Sequence, residues 1–361
     1  MKPKPHLKLQ PFTQRFPWWG GDLQTIATDL IDVPSSLAPG TSERLRFVLA
    51  GGDTMLAMLD RPAKPQAASQ PGRPLVLLIH GVPGSETSPY IVRMSGYLLD
   101  KGYPVLRLNM RGAGPSRTTC GGQYSAASSR DLAELIGLLP PDLTAAGVAA
   151  VGYSVGGAIL LKYLGEEGAR TPLVAAASIS APIDLLGTCL TLLRLRNVLY
   201  HRHVFGAVKR EALAQGAVLT QDERRDITAA RTLYEYDDVF TAPRNGFAGA
   251  RDYYFHSSAL NFLPGIAIPT LVLASLDDPW VPGGAYAGHH WGANKSRSLT
   301  PVLTEHGGHA GFHGTGGYKP WSDLAVMTFL EERACHTKVS HQVETNVVTQ
   351  VERPPVTSSG I

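Results

Sequence analysis

Three side chains, spread over half the chain, suggest one piece of chemistry before any fold is drawn. The first is the serine of Gly152-Tyr153-Ser154-Val155-Gly156. A serine hydroxyl is a weak nucleophile at neutral pH. It becomes a strong one when an imidazole takes its proton and a carboxylate orients that imidazole. Two later segments offer these groups, Asp277-Asp278-Pro279-Trp280-Val281-Pro282 and Glu305-His306-Gly307-Gly308-His309-Ala310-Gly311-Phe312. The chain order serine, acid, histidine suits a serine mounted on a sharp strand-to-helix turn. Asp278 is the expected acid because it opens the Asp-Pro-x-Val-Pro turn, and Asp277 is the alternative. His309 is the expected base because Gly307-Gly308 let its loop bend toward the serine. His306, His313 and the pair His289-His290 are its rivals.

The pentapeptide alone is a weak signal in a chain with 38 glycines, and its setting strengthens it. The apolar run Val148 to Val151 leads directly into it, and Gly156-Gly157-Ala158 opens the helix that follows. Such a turn crowds the backbone and admits only small neighbours. It also puts the hydroxyl at a helix N-terminus, where N–H groups and the helix dipole favour a developing anion. One oxyanion N–H is expected from Val155. The second is expected from Val82 in His80-Gly81-Val82-Pro83-Gly84, since Pro83 has no N–H. His80 precedes the serine, the wrong order for a base, and reads as a loop support. Arg111, in Asn109-Met110-Arg111-Gly112, reads as a tie between loops.

These loops need a scaffold. Glu43 to Leu49 and Thr54 to Leu59 flank Gly51-Gly52-Asp53 and predict an antiparallel hairpin. Leu75–Ile79 is a continuous apolar run of strand length, and further strands are expected at Val105–Leu108, Val148–Val151, Val174–Ile179, Thr270–Ala274 and Leu299–Thr304. Helices are expected between them, after Ser88-Pro89, through Asp131–Ile136, from Val155 to a stop at Gly165, and over Ser322–Arg333. Apolar strands alternating with helices predict an α/β fold with a mostly parallel sheet, an antiparallel N-terminal hairpin and helices on both faces. The expected organisation is an N-terminal arm (1–40), a core (41–182 and 264–335), a helical cap or lid insertion (183–263) and a flexible tail (336–361). Trp18-Trp19 is expected to pin the arm to the body.

Composition narrows the function. With 43% hydrophobic and 17% charged residues in 361, the chain is globular. A net charge of +3 with no long basic run makes nucleic acid a poor partner. No run of about 20 apolar residues predicts a membrane span, and the basic start leads into no apolar stretch, so no secretory signal is expected. Three scattered cysteines without a CxxC pair argue against a disulfide framework or zinc ribbon and suit a reducing, cytoplasmic setting. No H-E-x-x-H or G-x-G-x-x-G spacing is present, so neither a metal nor another cofactor is expected.

Taken together, the chain resembles the α/β-hydrolase superfamily, and within it the YheT-like and ABHD1/2/3-like branch that includes the plant EMB8 proteins. The likeness spans roughly residues 10 to 335. It rests on Asp22-Leu23-Gln24-Thr25-Ile26, His80-Gly81 with Ser88-Pro89-Tyr90-Ile91, Asn109-Met110-Arg111-Gly112 and Val151-Gly152-Tyr153-Ser154-Val155-Gly156-Gly157. Phe240-Thr241-Ala242-Pro243, Asp252-Tyr253-Tyr254 and Gly307-Gly308-His309-Ala310-Gly311-Phe312 add to it. The departure is Val82-Pro83-Gly84, where relatives often carry an acidic or polar residue after His-Gly. The resemblance implies a serine hydrolase of carboxylic esters, with its triad on Ser154, the Asp277-Asp278 pair and His309. The resulting expectation is an esterase or lipase-like enzyme that cleaves short- to medium-chain acyl esters through an acyl-enzyme and needs no cofactor. Thioesterase, lactonase or acyltransferase chemistry with the same triad is the alternative, and a non-catalytic binding module a more distant one.

Overall fold

The computed structural model describes residues 7–31, 37, 42–63, 72–293 and 297–334. The expected tail and residues 64–71 of the Pro-rich connector lie outside the described residues. Eight strands are formed: β1 Ser42–Val48, β2 Thr54–Asp60, β3 Leu75–Ile79, β4 Val105–Leu108, β5 Val148–Tyr153, β6 Leu173–Ile179, β7 Thr270–Ser275 and β8 Leu299–Thr304. They make one sheet in the order β1-β2-β4-β3-β5-β6-β7-β8. The β1–β2 hairpin is antiparallel and joins β4 antiparallel, and every pairing from β4 to β8 is parallel. The mostly parallel α/β sheet with an antiparallel N-terminal hairpin is therefore present.

Why the strands read as unbroken apolar runs is clear in β3, where all five residues are buried. Leu75, Leu77 and Ile79 face one hydrophobic cluster, which includes Leu132 and Leu135 of helix Ser129–Gly137 and Ile159 of helix Val155–Glu167. Val76 and Leu78 face a second, with Met94 and Leu98 of helix Pro89–Asp100 and Phe329 and Leu330 of helix Trp321–Arg333. Side chains alternate across a strand, so a strand between two helical layers must be apolar at every position. The sheet's order reverses at β3, which lies between β4 and β5, and clefts for ligands form at the carboxyl ends beside such a switch point.

One helix end departs from expectation. The helix that follows Ser154 runs through Gly165 to Glu167, and a left-handed glycine, Gly168 (φ 56°), ends it. Gly165 is there for packing: a Cβ would strike the Phe262 backbone. Between β6 and β7 the chain passes through helices Leu185–Leu192, Val198–Ala212, Gln221–Ala229 and Ala250–Ser257, with a π-helical turn at Asp237–Thr241. No helix among the described residues is long and apolar enough to cross a membrane.

Candidate active site

The site is built at the carboxyl end of β5. Ser154 sits between strand and helix with φ 50° and ψ −125°, a backbone conformation that L-residues rarely adopt. The flanking glycines make this turn fit. A Cβ on Gly152 would lie 2.6 Å from the Gly156 carbonyl oxygen. A Cβ on Gly156 would lie 2.6 Å from the Ile79 carbonyl oxygen and collide with that of His80. The pentapeptide is thus a steric requirement of threading the turn against the end of β3.

The loop after β7 carries the acids and the loop after β8 the histidine. Ser154 Oγ lies 3.0 Å from His309 Nε2. His309 Nδ1 lies 2.8 Å from Asp278 Oδ2. An imidazole with its proton on Nδ1 satisfies both contacts, donating to the carboxylate and accepting from the serine hydroxyl. The other oxygen of Asp278 accepts the Trp280 and Val281 backbone N–H groups at 2.8 and 3.0 Å, which fixes the carboxylate plane. The Trp280 ring stacks on the imidazole at 4.3 Å between centroids. Both His309 and Asp278 are buried.

Asp277 goes elsewhere. It accepts from Ser275 Oγ and from the Gly308 N–H, and its other oxygen lies 3.0 Å from His306 Nδ1. It therefore ties the two loops together one residue away from the acid that reaches the imidazole. His306 is half exposed at this tie. His313 is buried with a ring that makes no hydrogen bond, and burial lowers its pKa to about 4. His289 and His290 lie at the end of the short helix Gly283–Ala287, where His289 contacts Trp291.

His80 is fully buried. Its Nδ1 donates to the Gly81 carbonyl at 2.8 Å, and its Nε2 accepts the Met110 N–H at 3.1 Å. Burial lowers its pKa to about 4, so it stays neutral and braces the Gly81–Gly84 loop. Gly81 lies against the serine, since a Cβ there would be 3.0 Å from Ser154 Cβ. Arg111 binds Asp131 in a bidentate pair at 2.9 and 2.7 Å and also Asp53, tying the loop after β4 to the β1–β2 turn and to the first turn of helix Ser129–Gly137.

Several supporting residues had no part in the sequence argument about chemistry. The Thr25 hydroxyl accepts the His309 N–H at 2.8 Å and donates to the Gly21 carbonyl. Gln24 grips the backbone of His313 from both sides, accepting its N–H at 2.7 Å and donating to its carbonyl at 3.1 Å. Ser180 Oγ accepts the Ala310 N–H at 3.0 Å. Helix Gly20–Leu30 is thus the clamp on the histidine loop. The available signal was the place of Gln24 and Thr25 in the Asp22-Leu23-Gln24-Thr25-Ile26 stretch that carries the family resemblance. The tryptophan pair divides: Trp18 is half-buried and its carbonyl accepts from Gln24, while Trp19 is 60% exposed and meets Phe16 edge-on.

Ser154, Val155, Val82, His309 and Trp280 line one end of a cavity of about 160 Å³. Its remaining wall comes largely from the helices between β6 and β7, including Leu185, Leu192, Val204, Val208 and Tyr254. That wall is mostly apolar, with Thr188, Glu211, Asp237 and Thr241 as its polar members. Asp237 Oδ2 accepts from Tyr254 at 2.7 Å, and burial raises the pKa of Asp237 to about 6. Among the described residues, no group of three or more His, Cys, Asp or Glu side chains is placed to hold a metal.

A strained serine at a strand-to-helix turn and a parallel sheet with an antiparallel entrance are features of one class of protein, and residues 74–314 match the family model described as alpha/beta hydrolase fold. The chain belongs to that family. Within it the chain falls in the YheT and ABHD branch. It is 30% identical over 304 residues to YheT of Escherichia coli (strain K12), which bears the name of an esterase, covering 80% of this chain and 86% of that one. It is 29% identical over 277 residues to Phospholipase ABHD3 of Homo sapiens, covering 73% of this chain but only 64% of that one. Among solved structures, the esterase Pf2001 of Pyrococcus furiosus superposes with a TM-score of 0.55 at 16% identity, covering 91% of this chain and 99% of that one. The esterase and phospholipase names of its relatives put the chain among the hydrolases of ester bonds.

Proposed function

We propose that the chain is a serine carboxylesterase that works through an acyl-enzyme, with Ser154 as nucleophile, His309 as base and Asp278 as the residue that orients the base. The observation that carries this reading is the hydrogen-bonded line from Ser154 Oγ to His309 Nε2 (3.0 Å) and from His309 Nδ1 to Asp278 (2.8 Å). As Ser154 Oγ attacks the acyl carbonyl, its proton passes to Nε2, and the buried carboxylate stabilises the imidazolium that forms. The N–H groups of Val82 and Val155 receive the tetrahedral oxyanion, each contributing roughly 2.7–4 kcal/mol in the transition state. The imidazolium returns the proton to the departing alkoxide. A water, deprotonated by the same nitrogen, then attacks the acyl-serine and releases the acid.

Residues 183–263 act in this reading as a cap that forms the acyl slot, supported by the helices that wall the cavity. The small apolar volume favours short- to medium-chain acyl groups. The test is a panel of p-nitrophenyl esters of rising chain length together with a fluorophosphonate probe. Turnover that peaks at short to medium chains, with both turnover and labelling abolished in Ser154→Ala, is the expected result. An enzyme that neither turns over any ester nor takes the label overturns the proposal.

A further inference from the structure

Helix Gly20–Leu30 has a second face. While Gln24 and Thr25 point inward to the histidine loop, Leu23, Ile26 and Leu30 are exposed and continue the line of Trp19 at spacings of four, three and four residues. An apolar stripe normally faces the core, and here it faces outward. Beside it runs the segment Leu190–His203, joined to the helix through Asp22, which accepts from Arg196 at 2.8 Å and from Tyr200 at 3.0 Å. This segment exposes apolar side chains too: Leu195 is 93% and Leu199 73% accessible.

Its charge is one-sided. Residues 190–203 hold Arg194, Arg196 and Arg202, and no acid. The adjoining helix has two acids, Asp22, engaged with Arg196, and Asp29. Large exposed apolar patches mark interaction surfaces. Leucines and tryptophan interleaved with arginines form the pattern of an element lying in a lipid headgroup layer, apolar side inserted and cations against anionic headgroups. The opposite sides of the same two segments reach the site: Leu192 lines the cavity of Ser154, and Thr25 holds His309.

We propose that the outward faces of helix Gly20–Leu30 and segment Leu190–His203 form a docking surface for an anionic lipid layer. Docking there sets the cavity of Ser154 beside the layer, so that a lipid-soluble ester can enter without crossing bulk water.

The test is co-sedimentation of the full chain with sucrose-loaded vesicles of phosphatidylcholine, alone or with one-third phosphatidylglycerol. The wild type is expected to partition onto the anionic vesicles about tenfold better than onto the neutral ones, and less well as salt is raised. The double variant Leu195→Ser/Leu199→Ser is expected to lose binding to both kinds of vesicle. Arg194→Gln/Arg202→Gln is expected to lose the preference for the anionic ones. Both variants should keep the wild-type rate on a soluble p-nitrophenyl ester, which also certifies their fold. Ser154→Ala should sediment as wild type does, so docking is judged independently of the proposed hydrolysis. The proposal is overturned if the wild type stays in the supernatant or if both double variants sediment like it. A dimer seen by light scattering that Leu195→Ser/Leu199→Ser dissociates would overturn it as well, by assigning the face to a second copy.

Discussion

The serine turn and the histidine loop meet at 3.0 Å but are held by different physics. The turn is fixed by backbone crowding: Gly152 must clear Gly156 within the turn, and Gly156 must clear the backbone of Ile79 and His80 at the end of β3. The histidine loop is held by side chains, by Thr25 some 284 residues earlier, by Ser180 and by the stacked Trp280. One half of the site is thus a steric construction of backbone on backbone and the other a set of side-chain ties. Substitutions should separate them, the first kind failing by misfolding and the second by misplacing an imidazole in an intact fold.

The largest contrast lies between two adjacent acids. Asp278→Asn removes the acceptor that sets the tautomer of His309, and kcat on a p-nitrophenyl ester is expected to fall about 10⁴-fold, with the melting temperature little changed. Asp277→Asn keeps an acceptor for Ser275 and Gly308, loses the carboxylate oxygen beside His306, and is expected to cost less than about tenfold. Equal losses would erase the distinction between the acids. At the turn, Gly156→Ala forces a methyl into the His80 and Ile79 carbonyls and is expected to destabilise by on the order of 3 kcal/mol, read as a lower urea midpoint. A stable, inactive Gly156→Ala would break the comparison from the other side.

At the histidine loop, Thr25→Val leaves the buried His309 N–H without its acceptor. A cost of about 1–3 kcal/mol is expected to appear in kcat more than in KM, and Thr25→Ser is expected to restore activity. The smallest effect belongs to Asp237. Its folded pKa, raised from 3.8 to about 6, means the folded chain holds a proton that the unfolded chain releases between those values. Stability contributed by this group therefore falls as pH rises from about 4 to 6. Asp237→Asn keeps an acceptor for Tyr254 and removes that slope, so chemical denaturation at pH 5 and pH 7 is expected to show the variant gaining on wild type by roughly 1–2 kcal/mol.

The strands were legible because burial on both faces leaves an unmistakable mark: β3 and β4, buried at every position, have the bounds that the sequence predicts, and β5 differs only by two residues at its end. Gly165 misled for a related reason. Glycine signals a stop when it supplies a left-handed turn, but here it makes room for a neighbouring backbone, and only the fold reveals which. Trp19 misled similarly, since an aromatic residue looks like an anchor whether it faces the core or solvent.

Local spacing by itself determined the alternation of strand and helix, the glycine-framed serine and the order in which acid and histidine follow it. These are short-range properties, fixed by periodicity and by the room a backbone turn leaves. The role of Thr25 and Gln24 as a clamp on the histidine loop, the tie that Asp277 makes to His306 and Gly308, and the outward turn of a leucine stripe were decided by the tertiary structure alone. Each depends on which distant segment, or solvent, arrives at a given side chain. No pattern within a few residues carries that information, because Thr25 and His309 stand 284 residues apart.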